Sequence, residues 1–201
     1  MARLDELFQK VWDGHRITTA EARILYGCSL LELGMLADRR RKLAKEKAYG
    51  GRGNQIVTYI VDRNINYTNI CTVGCRFCAF YRRQSDPDAY VITRDELDRK
   101  IEETIALGGT QILLQGGHHP GLPLDWYLEV LSHIKNKFPR LNIHGFSPSE
   151  IVHLSKLSKL AIRDLIALLK SAGLGSIPGG GAEILVDRVR CELSPLKATA
   201  D

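Results

Sequence analysis

The sequence predicts an α/β protein, about half of a TIM-type βα barrel preceded by an N-terminal helical segment. Three observations carry that expectation. From residue 56 onward, short apolar runs alternate with longer stretches of helical periodicity, the pattern of parallel strands joined by crossover helices. Polar and glycine-rich groups gather just after each predicted strand, at the end where βα loops form an active face. The chain has 201 residues, whereas a closed βα barrel takes about 250.

Residues 1–55 read as helices and residues 56–201 as the incomplete barrel. Thr18 with Glu21, and Ser29 with Glu32, have capping-box spacing, in which side chain and backbone N–H satisfy each other at a helix start. After the second box, Leu30, Leu33, Leu36 and Leu43 share one face, and the basic run Arg39, Arg40, Arg41 and Lys42 takes the other. Gly50, Gly51 and Gly53 end this region. Residues 56–61 read as the first strand, with residues 64–68 continuing extended. Thr93 with Glu96 opens a capped helix carrying Leu97, Ile101 and Ile105, stopped at Gly108 and Gly109. Ile112, Leu113 and Leu114 form a short buried strand. A helix over residues 125–138, a strand over 141–146, a helix over 162–172 and a fourth strand over 174–177 complete the order. The chain then stops at SPLKATAD, with no terminal helix expected.

With 44% apolar and 25% charged residues, the composition is that of a folded globular protein. No apolar stretch approaches the roughly 18 residues of a membrane span, and the start lacks a secretion signal's apolar core, so a cytoplasmic protein with no membrane partner is expected. Lys plus Arg is 28 and Asp plus Glu 23, a net charge of +5. No stacking aromatics or recognition motif accompany the basic run, which therefore reads as a solvated helix face and not as a nucleic-acid site. Five cysteines in such a chain point to metal or redox chemistry in place of a disulfide framework.

Cys71, Cys75 and Cys78 form C-x₃-C-x₂-C within NINYTNICTVGCRFCAFYR. Three thiolates this close on one loop reach one metal centre. A structural zinc would want a fourth ligand. Cys28 and Cys191 are distant and read as small apolar residues, and neither has a C-x₂-C partner. A four-iron cluster held by three thiolates keeps one iron open for a substrate or cofactor. Spacing alone leaves cluster, zinc and free thiols open, with the cluster ahead. The loops after the later strands add Gln115, Gly116, Gly117, His118 and His119, then His144, Ser147, Pro148, Ser149 and Glu150, then Gly179, Gly180, Gly181 and Glu183. His15, His133 and His153 fall on helices or their flanks and read as structural.

The triplet, with Phe77 before its last cysteine, resembles the radical S-adenosylmethionine (SAM) superfamily. LLQGGHHPGLP, HGFSPSEI and SIPGGGAEILVDRVR extend the likeness over most of residues 50–201, toward the subfamily of dehypoxanthine futalosine cyclases and their aminofutalosine- and deazaflavin-precursor-forming relatives. The resemblance implies a radical SAM βα barrel with a 4Fe-4S cluster on Cys71, Cys75 and Cys78, whose open iron takes the amino and carboxylate groups of SAM. An electron from a donor such as flavodoxin or ferredoxin would cleave SAM to a 5′-deoxyadenosyl radical. The implied reaction is the cyclisation of dehypoxanthine futalosine in menaquinone biosynthesis. Phe77, Gly116, Gly117, Ser147 and Glu183 are then cofactor-binding candidates, and His118, His119, His144 and Glu150 catalytic ones. Tyr67 and Asn69 flank the cysteine loop and would shape it. The resembled family continues beyond residue 201, so a truncated chain with unpaired edge strands is expected.

Overall fold

The computed structural model describes residues 2–180 and 183–200, so Gly181 lies outside the described residues. It forms two compact units, Met1–Tyr59 and Ile60–Asp201. The first holds α1 (Ala2–Trp12), α2 (Thr19–Leu25) and α3 (Leu30–Ala48). Both capping boxes form as the spacing requires: Glu21 N–H donates to Thr18 Oγ1, Thr18 N–H to Glu21 Oε2, and Ser29 with Glu32 repeats the exchange. Leu7, Val11 and Leu36 are buried, but Leu30 is 85% exposed. The expected leucine face is therefore only partly used, because the short α1 and α2 cover little of a long α3. The basic run is not merely solvated: Arg40 donates to the carbonyl of Gly14, and Arg41 and Lys42 pair with Asp38.

In the second unit, β1 (Asp62–Asn66), β2 (Gln111–Gln115) and β3 (Asn142–Gly145) form a parallel sheet in the order β1-β2-β3. The fold is thus α/β with an open, three-stranded parallel sheet. The strand expected over residues 56–61 is displaced. Pairing begins at Asp62, opposite Gln111, and Val57 and Tyr59 are exposed. The cause is the length of β2, which offers residues before Asp62 only the Thr110 N–H, given to the Val61 carbonyl. The expected fourth strand is reduced to one bridge between His144 and Ser176. Gly175 has no side chain to pack and Pro178 no N–H to donate, which limits pairing there.

Around the sheet lie α4 (Arg94–Ala106), α5 (Leu124–Lys137), α6 (Pro148–Ser158), α7 (Ile162–Ser171) and α8 (Asp187–Leu193). Two of these, α6 and α8, are additions to the sequence expectation. The signal for α6 is local: Ser147 is its N-cap, Pro148 its first residue, and the Glu150 N–H donates to Ser147 Oγ. Ile65, Ile112, Leu114 and Ile143 from the strands pack with Leu97, Ile101, Leu131, Ile134, Leu165 and Leu169 from the helices into one core. Among the described residues, no helix is long and apolar enough to cross a membrane. Because Leu131 is wholly buried, Leu131→Ala should lower unfolding free energy by about 3 kcal/mol in a urea titration. Leu30→Ala, at an exposed position, should change it by less than about 0.5 kcal/mol.

Candidate active site

The carboxyl ends of the three strands open onto a cavity of about 600 Å³. Its walls include Cys71, Cys75 and Cys78 with Phe77 from the loop after β1, and Gly116, Gly117 and His118 from the loop after β2. Ser147 and Glu150 enter from the start of α6, and Gly180 and Glu183 from the segment between α7 and α8. Segments far apart in sequence thus bring most of the predicted site residues together.

Backbone pairing beyond the sheet builds this wall. Tyr67 N–H donates to the Gln115 carbonyl (3.0 Å), Gly117 N–H to Thr68 (2.9 Å) and Thr72 N–H to His118 (3.1 Å). The cysteine loop is thereby laced to the glycine loop. Close approach needs the glycines: a Cβ on Gly116 would fall 2.5 Å from the Tyr67 ring, and one on Gly117 would strike the Ile70 carbonyl and Cys71. The base of the cysteine loop is closed by Asn69, which donates to the Asp88 carbonyl and accepts from the Tyr90 N–H.

Glu150 is the buried carboxyl of the site. Its Oε1 accepts from Tyr67 Oη (2.7 Å) and from the Gly116 N–H (3.0 Å). Burial pushes the carboxyl up to about 7, while the Ser147, Tyr67 and Gly116 hydrogen bonds and the nearby Lys197 act in the opposite sense. Burial, joined by the Glu150 charge, also drives the Tyr67 phenol well above its ordinary value. His118 is held neutral. Burial, aided by His153 and Lys197, lowers it to about 3. Its ring stacks on His153 at 4.8 Å and its Nε2 lies 3.2 Å from Ser149 Oγ.

Two of the expected catalytic residues, His119 and His144, are not among those lining the cavity. The buried His119 accepts the N–H groups of Gly121 and Leu122 at Nδ1, so its ring caps a turn. His144 spends Nδ1 on Ser176 Oγ (2.6 Å), beside the single bridge of the incipient fourth strand. Of the histidines read as structural, His133 binds Asp98 and His153 binds the His119 carbonyl. Asn64, Asn66 and Lys197 are among the lining residues that escaped the sequence reading. Asn64 and Asn66 flank the buried Ile65, and that period-two alternation was their available signal. Lys197 lies in the tail, where sequence offers no motif.

The donor set, three thiols lining one cavity, fits an iron–sulfur cluster. The three thiols are free of disulfides and share one cavity. Among the described residues, no three His, Cys, Asp or Glu side chains gather as a single-ion site. Zinc needs its thiolates all within about 2.3 Å of one point. An iron–sulfur cluster instead takes them on separate irons around a larger body.

The family model of the radical SAM superfamily matches residues 65–190. The chain belongs to the radical SAM superfamily. Radical SAM membership implies a 4Fe-4S cluster and SAM, for which Cys71, Cys75 and Cys78 and the adjoining glycine loop are the fitting residues. The chain is 41% identical to the cyclic dehypoxanthine futalosine synthase of Streptomyces coelicolor, over 100% of this chain and 49% of that protein. It is 46% identical to the 5-amino-6-(D-ribitylamino)uracil–L-tyrosine 4-hydroxyphenyl transferase of Methanopyrus kandleri, over 72% of this chain and 39% of that one. The FeFe-hydrogenase maturase HydG of Carboxydothermus hydrogenoformans shares the fold, with a TM-score of 0.56 at 21% identity, covering 88% of this chain and 47% of that chain. The chain spans about half the length of the cyclic dehypoxanthine futalosine synthases it matches.

Two outcomes follow for the radical SAM site. Gly117→Ala should push the loops apart, seen as faster hydrogen exchange at the Thr72 and Gly117 amides. For Glu150, the folded carboxyl titrates at about 7 against an ordinary 4.5, so folding takes up a proton between those values. Its contribution is fully present below pH 4.5 and lost as the pH rises through about 7. Urea titrations across that window should show stability falling with pH in the native protein and a flatter profile in Glu150→Gln.

Proposed function

We propose that this chain carries the cofactor-binding part of an enzyme that cyclises dehypoxanthine futalosine to its cyclic product in menaquinone biosynthesis. The observation that carries the reading is the end-to-end likeness to two cyclic dehypoxanthine futalosine synthases, 37% and 41% identical over 98% and 100% of this chain. When bound, the cluster and SAM supply a hydrogen-abstracting radical. The chain's own residues hold and orient. Cys71, Cys75 and Cys78 bind the cluster, and the bare backbone of Gly116 and Gly117 lets the cofactor lie against the strand ends. Ser147 Oγ accepts the Glu150 N–H and its hydroxyl also bonds the Glu150 carboxyl, which fixes that carboxyl at the cavity wall. Glu150 Oε1 accepts from Tyr67 Oη and the Gly116 N–H, and the carboxyl, raised to about 7 by burial, accepts or holds a proton near neutral pH. His118, kept uncharged, offers a hydrogen bond without placing a second cation beside the cysteine loop. The electron donor would be a flavodoxin or ferredoxin.

The second reading is a tyrosine-dependent reaction, favoured by the 46% identity to the hydroxyphenyl transferase. Anaerobic incubation with SAM, reductant and each candidate substrate separates the two. Release of 5′-deoxyadenosine with loss of dehypoxanthine futalosine is expected. Turnover with L-tyrosine and 5-amino-6-(D-ribitylamino)uracil, or with an enolpyruvyl substrate of the aminofutalosine type, overturns the proposal.

A further inference from the structure

The cavity contains an ion pair that neither the cysteine loop nor the glycine loop needs. Lys197 Nζ and Glu183 Oε1 are 2.7 Å apart, both residues line the cavity, and the Lys197 side chain is only 10% exposed. The tail that carries them is fixed in place. The Arg76 N–H, inside the cysteine loop, donates to the Leu193 carbonyl at 2.9 Å. The buried Arg190 donates Nη1 to the Ile184 carbonyl and Nε to that of Ala198, so one guanidinium clamps the residue next to each member of the pair. The pair is thus held rigidly at the mouth of the cysteine loop. There the Lys197 ammonium lies 5.9 Å from the centre of the Phe77 ring, which is 54% exposed.

The only other cation lining the cavity, among the described residues, is Arg82. It is committed to Asp88 at 2.7 Å and to the carbonyls of Ala79 and Tyr81. Lys197 differs because its partner has somewhere to go: Glu183 Oε2 already lies 4.0 Å from Arg190 Nη1. A carboxylate entering the cavity exchanges with Glu183 on Lys197, and Glu183 stays compensated by Arg190. The exchange suits a monoanion. A dianion would leave surplus negative charge near the cysteine thiolates and Glu150, with one lysine to offset it. The exposed Phe77 ring beside the ammonium adds a stacking surface, so the pair matches an aromatic ring bearing a carboxylate.

We propose that Lys197, exchanged from Glu183 beside the Phe77 ring, is the residue that anchors an aromatic carboxylate of the substrate. This rests on the radical SAM reading, in which SAM's own carboxylate goes to the open iron of the cluster. It deepens that reading by naming the recognition group for the second molecule in the cavity.

The test is equilibrium dialysis of radiolabelled benzoate and its neutral isostere benzamide against the cluster-loaded, SAM-saturated full chain. Native protein should bind benzoate about tenfold more tightly than benzamide, as one charge-assisted hydrogen bond supplies. Lys197→Met should erase that preference and leave benzamide and SAM binding unchanged. Glu183→Gln should strengthen benzoate binding, because the competing carboxylate is gone, whereas a purely structural ion pair would make both substitutions weaken it. Equal binding of the two probes by native protein, a preference that survives Lys197→Met, or a loss of SAM binding in its place overturns the inference. Dehypoxanthine futalosine is dialysed in parallel. A chain that prefers benzoate through Lys197 but does not bind dehypoxanthine futalosine upholds the carboxylate site and overturns the proposed function.

Discussion

Pairing between β1 and β2 does not stop where the sheet stops, and the cavity depends on that. The ladder runs on through Tyr67 to Gln115, Gly117 to Thr68 and Thr72 to His118, so two loops with little regular structure share a backbone seam. Each such bond contributes only about 1 kcal/mol net. Their joint effect is positional: Cys71 is held against the glycine loop, and a cofactor lying on that loop also lies on the cysteines. The seam tolerates no side chain at Gly116 or Gly117, which sets those two residues from packing alone, before any ligand is considered.

Behind the seam the structure accepts an electrostatic cost. A carboxyl as buried as Glu150 disfavours its own charge, and an apolar residue would fill the space at lower cost. What Glu150 supplies is a link. Through one oxygen it joins the residue after β1 (Tyr67 Oη), the β2 loop (Gly116 N–H) and the first turn of α6, so three strand ends are set relative to one another. The same burial that raises Glu150 keeps His118 uncharged, leaving a cavity with few free charges beyond the thiols and the Lys197–Glu183 pair.

Much of the fold was legible because its signals are local. Capping boxes at Thr18 and Ser29 and the apolar run of β2 each act within a few residues and formed as read, and the closely spaced cysteines line one cavity. Errors came where the outcome depends on a partner elsewhere. Residues 56–61 have strand composition, but among the described residues the ladder with β2 begins only at Asp62, and residues 174–177 reach the sheet edge at one bridge. In the site, Glu150 was legible as a polar residue past a strand, but its burial was not, since that comes from Tyr67 more than eighty positions away. His119 was legible as a polar residue past a strand, but not the turn-capping bonds that its ring accepts. Lys197 was invisible, because only the fold brings the tail to the cysteine loop.

The central claim is that Cys71, Cys75 and Cys78, presented by the seam, hold a cluster with an open iron. Anaerobic reconstitution with iron and sulfide, followed by metal analysis and low-temperature electron paramagnetic resonance of the reduced protein, tests it most directly. The account predicts a brown protein with about four irons per chain, whose reduced signal changes when SAM is added. A colourless protein that binds one zinc, or a cluster signal indifferent to SAM, would contradict it.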